Sequence, residues 1–208
     1  AEAESALSSV ALMERVKPSV LKINVTSKTY DHSQPWNAPD IESCSGSGFV
    51  VQLDNDEKYI VTNAHVEEGS VRITVRQAGG KKDFTSRKVL VDHRCDLALL
   101  ALPDALASVP AIPISSHFPQ LGESVHVIGF PQLGEKICIT KGGMSRCELD
   151  EYAQSEWEGI QFGVDAVINP GNSGGPAVNG HGQLVGVAFQ GADNGQGFVI
   201  PSEVLQHF

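Results

Sequence analysis

Ten short runs rich in β-branched, aliphatic and aromatic residues follow one another along this chain of 208 residues. Gly, Pro, Asn or Asp separates most of them, and this spacing is typical of β-sandwiches and β-barrels. Strand and helix patterns do not alternate, which argues against a parallel α/β sheet. We therefore predict an all-β protein. The runs occupy residues 19–26, 47–53, 58–63, 70–77, 96–102, 124–130, 136–140, 160–168, 183–191 and 197–201.

Helical periodicity is confined to the N-terminus, where Leu7, Val10 and Ala11 recur at helical spacing within residues 5–16. Pro18 lies just beyond this segment, and a proline cannot continue a helix. We therefore expect a short amphipathic N-terminal helix, and no other segment predicts a long one.

Three segments are predicted to connect strands. The stretch 103–119 holds four prolines and no long periodic pattern, so we expect it to cross between two β subdomains. The polar stretch 29–45 contains two prolines and one Trp, and it is interpreted as a long exposed loop, either functional or disordered. The acidic run 54–57 lies between two strand patterns and is predicted to be a hairpin turn.

Charge and hydropathy argue against two classes of function. With 15 Lys and Arg against 25 Asp and Glu, the formal net charge is −10, and no basic cluster is present, so nucleic-acid binding is not expected. No run of about 18 uncharged apolar residues occurs, so no transmembrane segment is expected. The first residues lack the basic-then-apolar order of a signal peptide. A targeting segment that was removed before this point remains an alternative.

Four cysteines, Cys44, Cys95, Cys138 and Cys147, show neither the CxxC spacing of a zinc site nor the density of a disulfide-linked secreted scaffold. We interpret them as free thiols. The histidines other than His65 lack HExxH or a related carboxylate spacing, so neither a metal site nor a cofactor is predicted.

The most specific motif is NPGNSGGP at residues 169–176, in which a serine lies among glycines. Glycine lets the backbone bring two N–H groups to one point, and an oxyanion hole needs two such donors. We assign the backbone N–H groups of Gly171 and Ser173 to that hole and the Ser173 hydroxyl to the nucleophile. Because a hydroxyl is a poor nucleophile at its ordinary pKa, a base must take its proton and a third group must orient the base.

His65 and Asp96 are the candidates for the base and the orienting acid. His65 follows a strongly apolar strand pattern in YIVTNAHV, and Asp96 opens the apolar run DLALLAL. Alone, a histidine after a strand is more often structural, and an aspartate before one is usually a turn residue. Together with Ser173, they supply the three groups that serine nucleophilic catalysis requires.

The motifs TNAHV, CDLALL and GNSGGP, in the order His, Asp, Ser, resemble those of chymotrypsin-like serine proteases, specifically the HtrA/Deg branch. VKPSVLKI resembles the first strand of that branch, and GSGFVV resembles the strand before the histidine. VIGFPQLGEKICITKGGMSR resembles its Gly-Phe-Pro segment and the bent strand that follows, and GFVIPS its closing strand. QPW is similar to plant-type Deg proteases. Val66 stands where secreted chymotrypsin relatives carry a cysteine, which also fits the HtrA/Deg branch.

The resemblance implies two perpendicular six-stranded antiparallel β-barrels with a cleft between them. It makes His65 the general base, Asp96 the orienting acid and Ser173 the nucleophile, with the amides of Gly171 and Ser173 holding the oxyanion. It divides the chain into an N-terminal helix or arm at 1–18, a first barrel at 19–102, an interbarrel linker at 103–119 and a second barrel at 120–208.

The resemblance also bears on the cysteines. It makes the stretch with Cys138 and Cys147 one bent strand instead of a hairpin turning at glycines 142 and 143, so a disulfide between the two cysteines is geometrically doubtful. Cys95 directly precedes Asp96. A bulky modification of its thiol would disturb the site, although a buried, inert cysteine is the commoner case.

The residues before Ser173 bear on which P1 side chain a substrate would carry. Trypsin-like cleavage requires an acid at the base of the S1 pocket, and Val167 stands six residues before Ser173 instead. Basic P1 side chains are therefore not expected. Val167, Ile168 and Ala188 are predicted to line an apolar pocket for aliphatic P1 residues, although all three fit a plain barrel core equally well.

The sequence thus predicts a serine endopeptidase of HtrA/Deg type that hydrolyses unfolded or damaged proteins through an acyl-enzyme, in protein quality control. The alternative is a latent or inactive protease-fold module that only binds unfolded chains. GNSGG also satisfies GxSxG, the α/β-hydrolase elbow, but that triad runs Ser, acid, His and few residues follow Ser173.

The resemblance implies partners as well. Members of the branch are commonly trimers or multiples of trimers, so we expect a homotrimer or larger homo-oligomer. They normally carry C-terminal PDZ domains, and this chain stops at Phe208 without one. Free thiols favour a reducing compartment, such as the matrix of a chloroplast or mitochondrion, with the bacterial periplasm second.

Overall fold

The strands of the computed structural model pair in two antiparallel sheets, which confirms the all-β class. The structure describes residues 7–53, 57–131, 134–152, 155, 157–191 and 195–208. The first sheet contains β1 (Val20–Thr29), β2 (Asp40–Gln52), β3 (Lys58–Thr62), β4 (Ser70–Gln77), β5 (Phe84–Ser86), β6 (Lys88–Asp92) and β7 (Leu97–Ala101). The second contains β8 (Ser124–Gly129), β9 (Cys138–Glu151), β10 (Glu158–Val164), β11 (Pro176–Val178), β12 (Leu184–Gly191) and β13 (Gly197–Pro201). The described residues also form three α-helices, α1 (Ser9–Val16), α2 (Ala64–Glu67) and α3 (Ser202–His207).

The first sheet has seven strands in the order β5-β4-β1-β2-β3-β7-β6. Its two outer strands, β5 and β6, are consecutive in the chain and are separated only by Arg87. The Arg87 carbonyl accepts a hydrogen bond from the Ala101 N–H at 2.9 Å. One segment therefore pairs with β4 at one end and with β7 at the other, which joins the two edges of the sheet. Counted as a single strand bent at Arg87, it gives the six strands predicted for the first barrel.

The second sheet is a closed barrel of six strands in the order β10-β13-β12-β11-β8-β9. Its longest strand, β9, runs for 14 residues without a turn, which confirms the bent strand implied by the resemblance. A Cβ added at Gly142 would lie 2.3 Å from the carbonyl carbon of Asp165. Only glycine permits that close approach of two backbones.

The largest buried cluster joins the two sheets. It combines Phe49 of the first sheet and Val187 of the second with Leu12 of α1 and Leu205 of α3. Separate clusters fill the first sheet and the second barrel. Because both short helices contribute buried side chains to the shared cluster, they form part of the interface between the sheets.

The N-terminal helix forms as predicted, but its apolar face differs. The Ser8 hydroxyl accepts a hydrogen bond from the Ala11 N–H at 3.3 Å and caps the helix. The buried side chains of α1 are Leu12 and Val16, which are four residues apart. Val10, expected on the buried face, is 71% exposed.

The long loop predicted over 29–45 is wrong in its second half. Residues 40–45 belong to β2 and pair with β1, from Asp40 opposite Thr29 to Ser45 opposite Asn24. Their side chains are largely exposed, so an apolar pattern is not needed there. The ladder offered by β1 determines the strand, because β-propensity depends strongly on context.

The proline-rich stretch 103–119 contacts both sheets. The Ile112 N–H donates to the Val50 carbonyl at 2.8 Å, and the Ser115 N–H donates to the Leu184 carbonyl at 2.9 Å. These contacts suit a crossover, and the predicted domain limits stay a prediction. The turn predicted at 54–57 lies between β2 and β3, and residues 54–56 are outside the described residues. In the described segments, no helix is long and apolar enough to cross a membrane.

Replacing Leu12 with Ala tests the packing of α1 against both sheets. Because the Leu12 side chain is fully buried, we expect the free energy of unfolding to fall by about 2–5 kcal/mol in urea titrations. Val10→Ala changes the same helix at an exposed position, and there we expect a change within about 0.5 kcal/mol. Equal losses from the two substitutions would contradict this packing.

Candidate active site

His65 and Asp96 form a close pair on the first sheet. His65 lies in α2, directly after β3, and its Nδ1 is 2.7 Å from Asp96 Oδ2. The His65 backbone N–H also donates to Asp96 Oδ1 at 2.9 Å. Asp96 is only 1% exposed, so little water competes for its carboxylate. A carboxylate that accepts from Nδ1–H holds the imidazole tautomer whose Nε2 is free to accept a proton.

The backbone of Asp96 is held in an unusual conformation. Its φ of 51° is positive, which no other non-glycine residue in the described ranges shows. Such a conformation costs about 1–3 kcal/mol and persists only where surrounding contacts maintain it. Here the Asp96 carbonyl accepts hydrogen bonds from Asn63 Nδ2 at 2.9 Å and from the Ala64 N–H at 3.2 Å. The turn before β7 is thereby fixed to the residues that precede His65.

Ser173 lies in the loop between β10 and β11, after a tight turn. The Asn172 N–H donates to the Asn169 carbonyl at 2.9 Å, and Gly171 has a φ of 96°. Pro170 followed by a glycine with positive φ is the pattern of a type II turn. Within the described part of the chain, neither the Gly171 N–H nor the Ser173 N–H donates to another group. Two neighbouring amide donors are therefore available to a ligand.

The Ser173 hydroxyl does not point at the histidine in this structure. It donates to the Phe189 carbonyl at 3.3 Å, and among the described residues no hydrogen bond joins it to His65. Hydrogen bonds of catalytic groups are often poorly formed until substrate binds. Rotation about the serine Cα–Cβ bond changes this contact without moving the backbone.

The serine loop of the second barrel packs against the residues that lead to His65. A Cβ added at Gly174, whose φ is 81°, would lie 2.2 Å from the Ser47 carbonyl oxygen and 2.3 Å from Thr62 Oγ1. The same Cβ would lie 3.2 Å from the Asn63 nitrogen. Only glycine allows this approach, which brings the loop of Ser173 to the edge of the first barrel.

A cleft opens beside the His–Asp pair, and contacts between the barrels border it. Ser155 Oγ donates to the Arg94 carbonyl at 2.9 Å, and the Arg94 guanidinium lies 5.5 Å from the centre of the Trp157 ring. The hairpin between β9 and β10 thus touches the turn before Asp96. The cavity has a volume of about 300 Å³ and is lined by His65, Glu68, His93, Arg94, Asp96 and Ser155.

The three candidate pocket residues lie in different environments. Ile168 is 6% exposed and Ala188 is fully buried, and both belong to the cluster inside the second barrel. Val167 is 47% exposed. The barrel-core interpretation therefore describes Ile168 and Ala188 well, and the role of all three in substrate binding stays a prediction.

All four cysteines are free thiols in the structure. Burial, and secondly the charge of Asp92, raises the pKa of the Cys95 thiol to about 11. Because only a thiolate is an effective nucleophile, the thiol beside Asp96 is unreactive at neutral pH. Within the described ranges, no group of three or more His, Cys, Asp or Glu side chains is placed to hold a metal ion.

Two antiparallel β-sheets that bring a buried His–Asp pair to a glycine-rich serine loop define a trypsin-like peptidase fold and site. Comparison with protein families agrees, because residues 46–187 match the family described as trypsin-like peptidase domain. This match includes parts of both sheets and all three residues of the site.

Individual relatives identify the branch. Protease Do-like 2, chloroplastic, of Arabidopsis thaliana is 36% identical over 91% of this chain and 32% of that protein. Protease Do-like 4, mitochondrial, of the same plant is 40% identical over 91% of this chain and 36% of its own length. The chain thus spans about a third of the length of these two relatives.

Solved structures agree with the sequence comparison. The HtrA-type protease AlgW with a decapeptide superposes with a TM-score of 0.76 at 25% identity, over 95% of this chain and 65% of that one. The Rv3671c protease from M. tuberculosis, in its active form, gives a TM-score of 0.74 at 27% identity, over 96% and 84% of the two chains. The chain therefore belongs to the trypsin-like peptidase family, in its HtrA/Deg branch.

The raised pKa of Cys95 leads to a labelling prediction. With a pKa of about 11, about one thiol in a thousand is ionised at pH 8. We expect iodoacetamide at pH 8 to leave Cys95 unmodified in the folded protein and to modify it in urea, as measured by peptide mass mapping. Equal rates of modification in the folded and unfolded protein would contradict the burial of this thiol.

Proposed function

We propose that this chain is the peptidase domain of an HtrA/Deg-type serine endopeptidase, which hydrolyses peptide bonds in unfolded or damaged proteins. The observation that carries the proposal is the buried Asp96 carboxylate, 2.7 Å from His65 Nδ1, next to a serine loop with two unused amide donors. Structural histidines and aspartates do not require a glycine-rich loop with free N–H groups beside them. The combination favours acyl transfer over a purely structural role.

In the proposed mechanism, Ser173 Oγ bonds to the carbonyl carbon of the scissile peptide while His65 Nε2 takes its proton. The carbonyl oxygen becomes negatively charged and accepts hydrogen bonds from the Gly171 and Ser173 N–H groups. Asp96 stabilises the imidazolium and keeps its orientation without taking the proton. His65 then passes the proton to the leaving amine as the C–N bond breaks, which leaves an ester on Ser173.

Deacylation repeats the same steps with water. His65 takes a proton from a water molecule as the water oxygen bonds to the ester carbon, and the same two amides hold the oxyanion. The proton then returns to Ser173 Oγ as the ester bond breaks. The new carboxyl terminus leaves, and the serine and the neutral histidine are restored.

A second candidate function is the binding of unfolded chains without cleavage. The observation that favours it is the Ser173 hydroxyl donating to the Phe189 carbonyl at 3.3 Å, away from His65. In this state the serine is not activated for attack, but the cleft beside His65 is still available to bind a peptide. Cleavage by the purified chain decides between the two functions.

Cleavage of unfolded casein by the wild type and by single variants tests the triad. We expect Ser173→Ala, His65→Ala and Asp96→Asn each to lower kcat by about 10⁴-fold or more, because the three groups act as a unit. Ser116→Ala removes an exposed hydroxyl that is hydrogen-bonded to the neighbouring His117 ring, and it serves as the control that keeps full activity.

Mass spectrometry of the casein fragments gives the bond that is cut. We expect aliphatic residues at P1, since Val167 replaces the acid that would select a basic side chain. Fragments produced equally by Ser173→Ala would refute the nucleophile, and binding of casein without cleavage by the wild type would support the second function.

We further propose that the chain assembles into a homotrimer or a multiple of one, as is common in the HtrA/Deg branch. Light scattering at micromolar concentration is expected to give about three times the chain mass of 22.2 kDa, or a multiple of that value. Stable self-association needs an apolar contact surface of sufficient size. A mass equal to one chain at this concentration would reject the trimer.

We propose a reducing organelle matrix, chloroplast or mitochondrion, as the location, with the bacterial periplasm second. The four free thiols support a reducing compartment. Two similar proteins carry the descriptions chloroplastic and mitochondrial in their names. The net charge of −10 supports protein substrates over nucleic acid as partners.

A further inference from the structure

Ser47 of the first barrel binds the serine loop of the second barrel twice. It lies on β2 between two glycines and is fully buried. Its backbone N–H donates to the Ser173 carbonyl at 2.9 Å, and its Oγ donates to the Gly171 carbonyl at 2.7 Å. Both residues that supply the proposed oxyanion donors are therefore held by one residue from the opposite barrel.

The direction of the Ser47 hydroxyl is set by a third contact. The Phe130 N–H, just beyond the end of β8, donates to Ser47 Oγ at 2.8 Å. Because the oxygen accepts this hydrogen bond, its own hydrogen is directed to the Gly171 carbonyl. Thr62 Oγ1 donates to the Ser47 carbonyl at 2.8 Å and fixes the backbone as well. Buried hydrogen bonds of this kind are costly to lose, since water cannot replace the missing partner.

The two carbonyls held by Ser47 flank the peptide unit that carries the Ser173 N–H. In a trans peptide, the C=O and N–H groups lie in one plane and point in opposite directions, so fixing both ends fixes the plane. The unit after Gly171 is held at its oxygen by Ser47 and at its nitrogen by the Asn169 carbonyl, 2.9 Å from the Asn172 N–H. The unit after Ser173 is held at its oxygen by the Ser47 N–H at 2.9 Å.

The peptide unit between Asn172 and Ser173 lies between these two units, and its N–H has no acceptor among the described residues. The nitrogen of the unit after Ser173 belongs to Gly174 and donates to the Ala188 carbonyl at 2.8 Å. The Asn172 carbonyl accepts from the Gly175 N–H at 2.9 Å, so contacts among the described residues hold the Asn172–Ser173 unit at its oxygen and not at its nitrogen. Because the planes of the peptide units on both sides are fixed and the Asn172 carbonyl is bonded, the Ser173 N–H is held in one direction.

We propose that Ser47 is a positioning residue for the oxyanion hole. Its hydroxyl and amide hold the Gly171 and Ser173 carbonyls on either side of the Asn172–Ser173 peptide unit, so that the Ser173 N–H is aimed at the developing oxyanion before substrate arrives. Donors fixed in advance need no reorganisation during the reaction, and this is what makes them effective in the transition state. The inference rests on the proposed peptidase function and extends it to a residue that does not touch the substrate.

Ser47→Ala is the direct test, because alanine fits the site and removes only the hydroxyl. We expect kcat on a peptide substrate to fall by about 10- to 100-fold, less than the roughly 10²- to 10³-fold loss from deleting an oxyanion donor. KM is expected to stay within about twofold, since ground-state binding is not affected. Ser86→Ala is the matched control, because Ser86 Oγ donates to the Ala101 carbonyl at 2.6 Å within the first sheet.

A second readout separates positioning from a merely structural role. A peptide boronic acid forms a tetrahedral adduct with the serine, and its affinity should fall by the same factor as kcat/KM. Binding of the uncleaved peptide to Ser173→Ala should be unchanged when Ser47→Ala is added. Rates are expressed per active site, titrated with a fluorophosphonate, so that a misfolded fraction does not count as lost catalysis.

Two results would count against the positioning role of Ser47. Unchanged kcat per active site in Ser47→Ala, or a boronate affinity that does not follow kcat/KM, overturns the positioning role. If Ser47→Ala does not fold, Ser47→Cys keeps a weak donor in a similar shape and is expected to retain a kcat between those of the wild type and an oxyanion-donor deletion. Failure of the proposed peptidase function gives a different result, because cleavage is then absent from both the wild type and Ser86→Ala. That result would also overturn the positioning role, which depends on the peptidase function.

Discussion

The close backbone contact between β2 of the first barrel and the serine loop of the second is the constraint on which the site depends. It requires glycine at position 174, where a Cβ would lie 2.2 Å from the Ser47 carbonyl oxygen. At position 46, a Cβ would lie 3.3 Å from the Ser173 carbonyl oxygen of that loop and 2.7 Å from Val66 Cγ1 of the first barrel. Through this contact one barrel orients the backbone of the other, and the shared apolar cluster holds the two barrels together.

The polar groups of the site are held in place mainly by buried hydrogen bonds. Asp96 adopts a positive φ, yet its carboxylate and its carbonyl are each bound by groups from the segment around His65. The turn before β7 therefore stores strain that the neighbouring contacts offset, a combination common where side chains must be presented in one orientation. In contrast, the Gly171 and Ser173 amides donate to no other group in the described part of the chain, so they are available to a ligand.

Much of the fold could be predicted from strand periodicity and turn residues, and the candidate site from three motifs. The errors have physical causes. The polar strand at 40–45 was missed because its exposed face needs no apolar pattern, and α3 was missed because six residues carry too little periodicity. The buried face of α1 consists of Leu12 and Val16, and the spacing of Leu7, Val10 and Ala11 does not indicate it. Ser47 was recognisable from the sequence, because its hydroxyl lies between two glycines in an otherwise apolar strand. No sequence pattern distinguished Asn63.

The division of the site between the barrels has a consequence for the order in which the chain is made. His65 and Asp96 leave the ribosome well before Ser173, and the loop of Ser173 takes its shape only when Ala188 and Phe189 of β12 have folded against it. The second barrel closes through β13, which follows β12 in the chain. In a growing chain the His–Asp pair is therefore made before the groups that shape the Ser173 loop, and the site is completed only after β12 has been made.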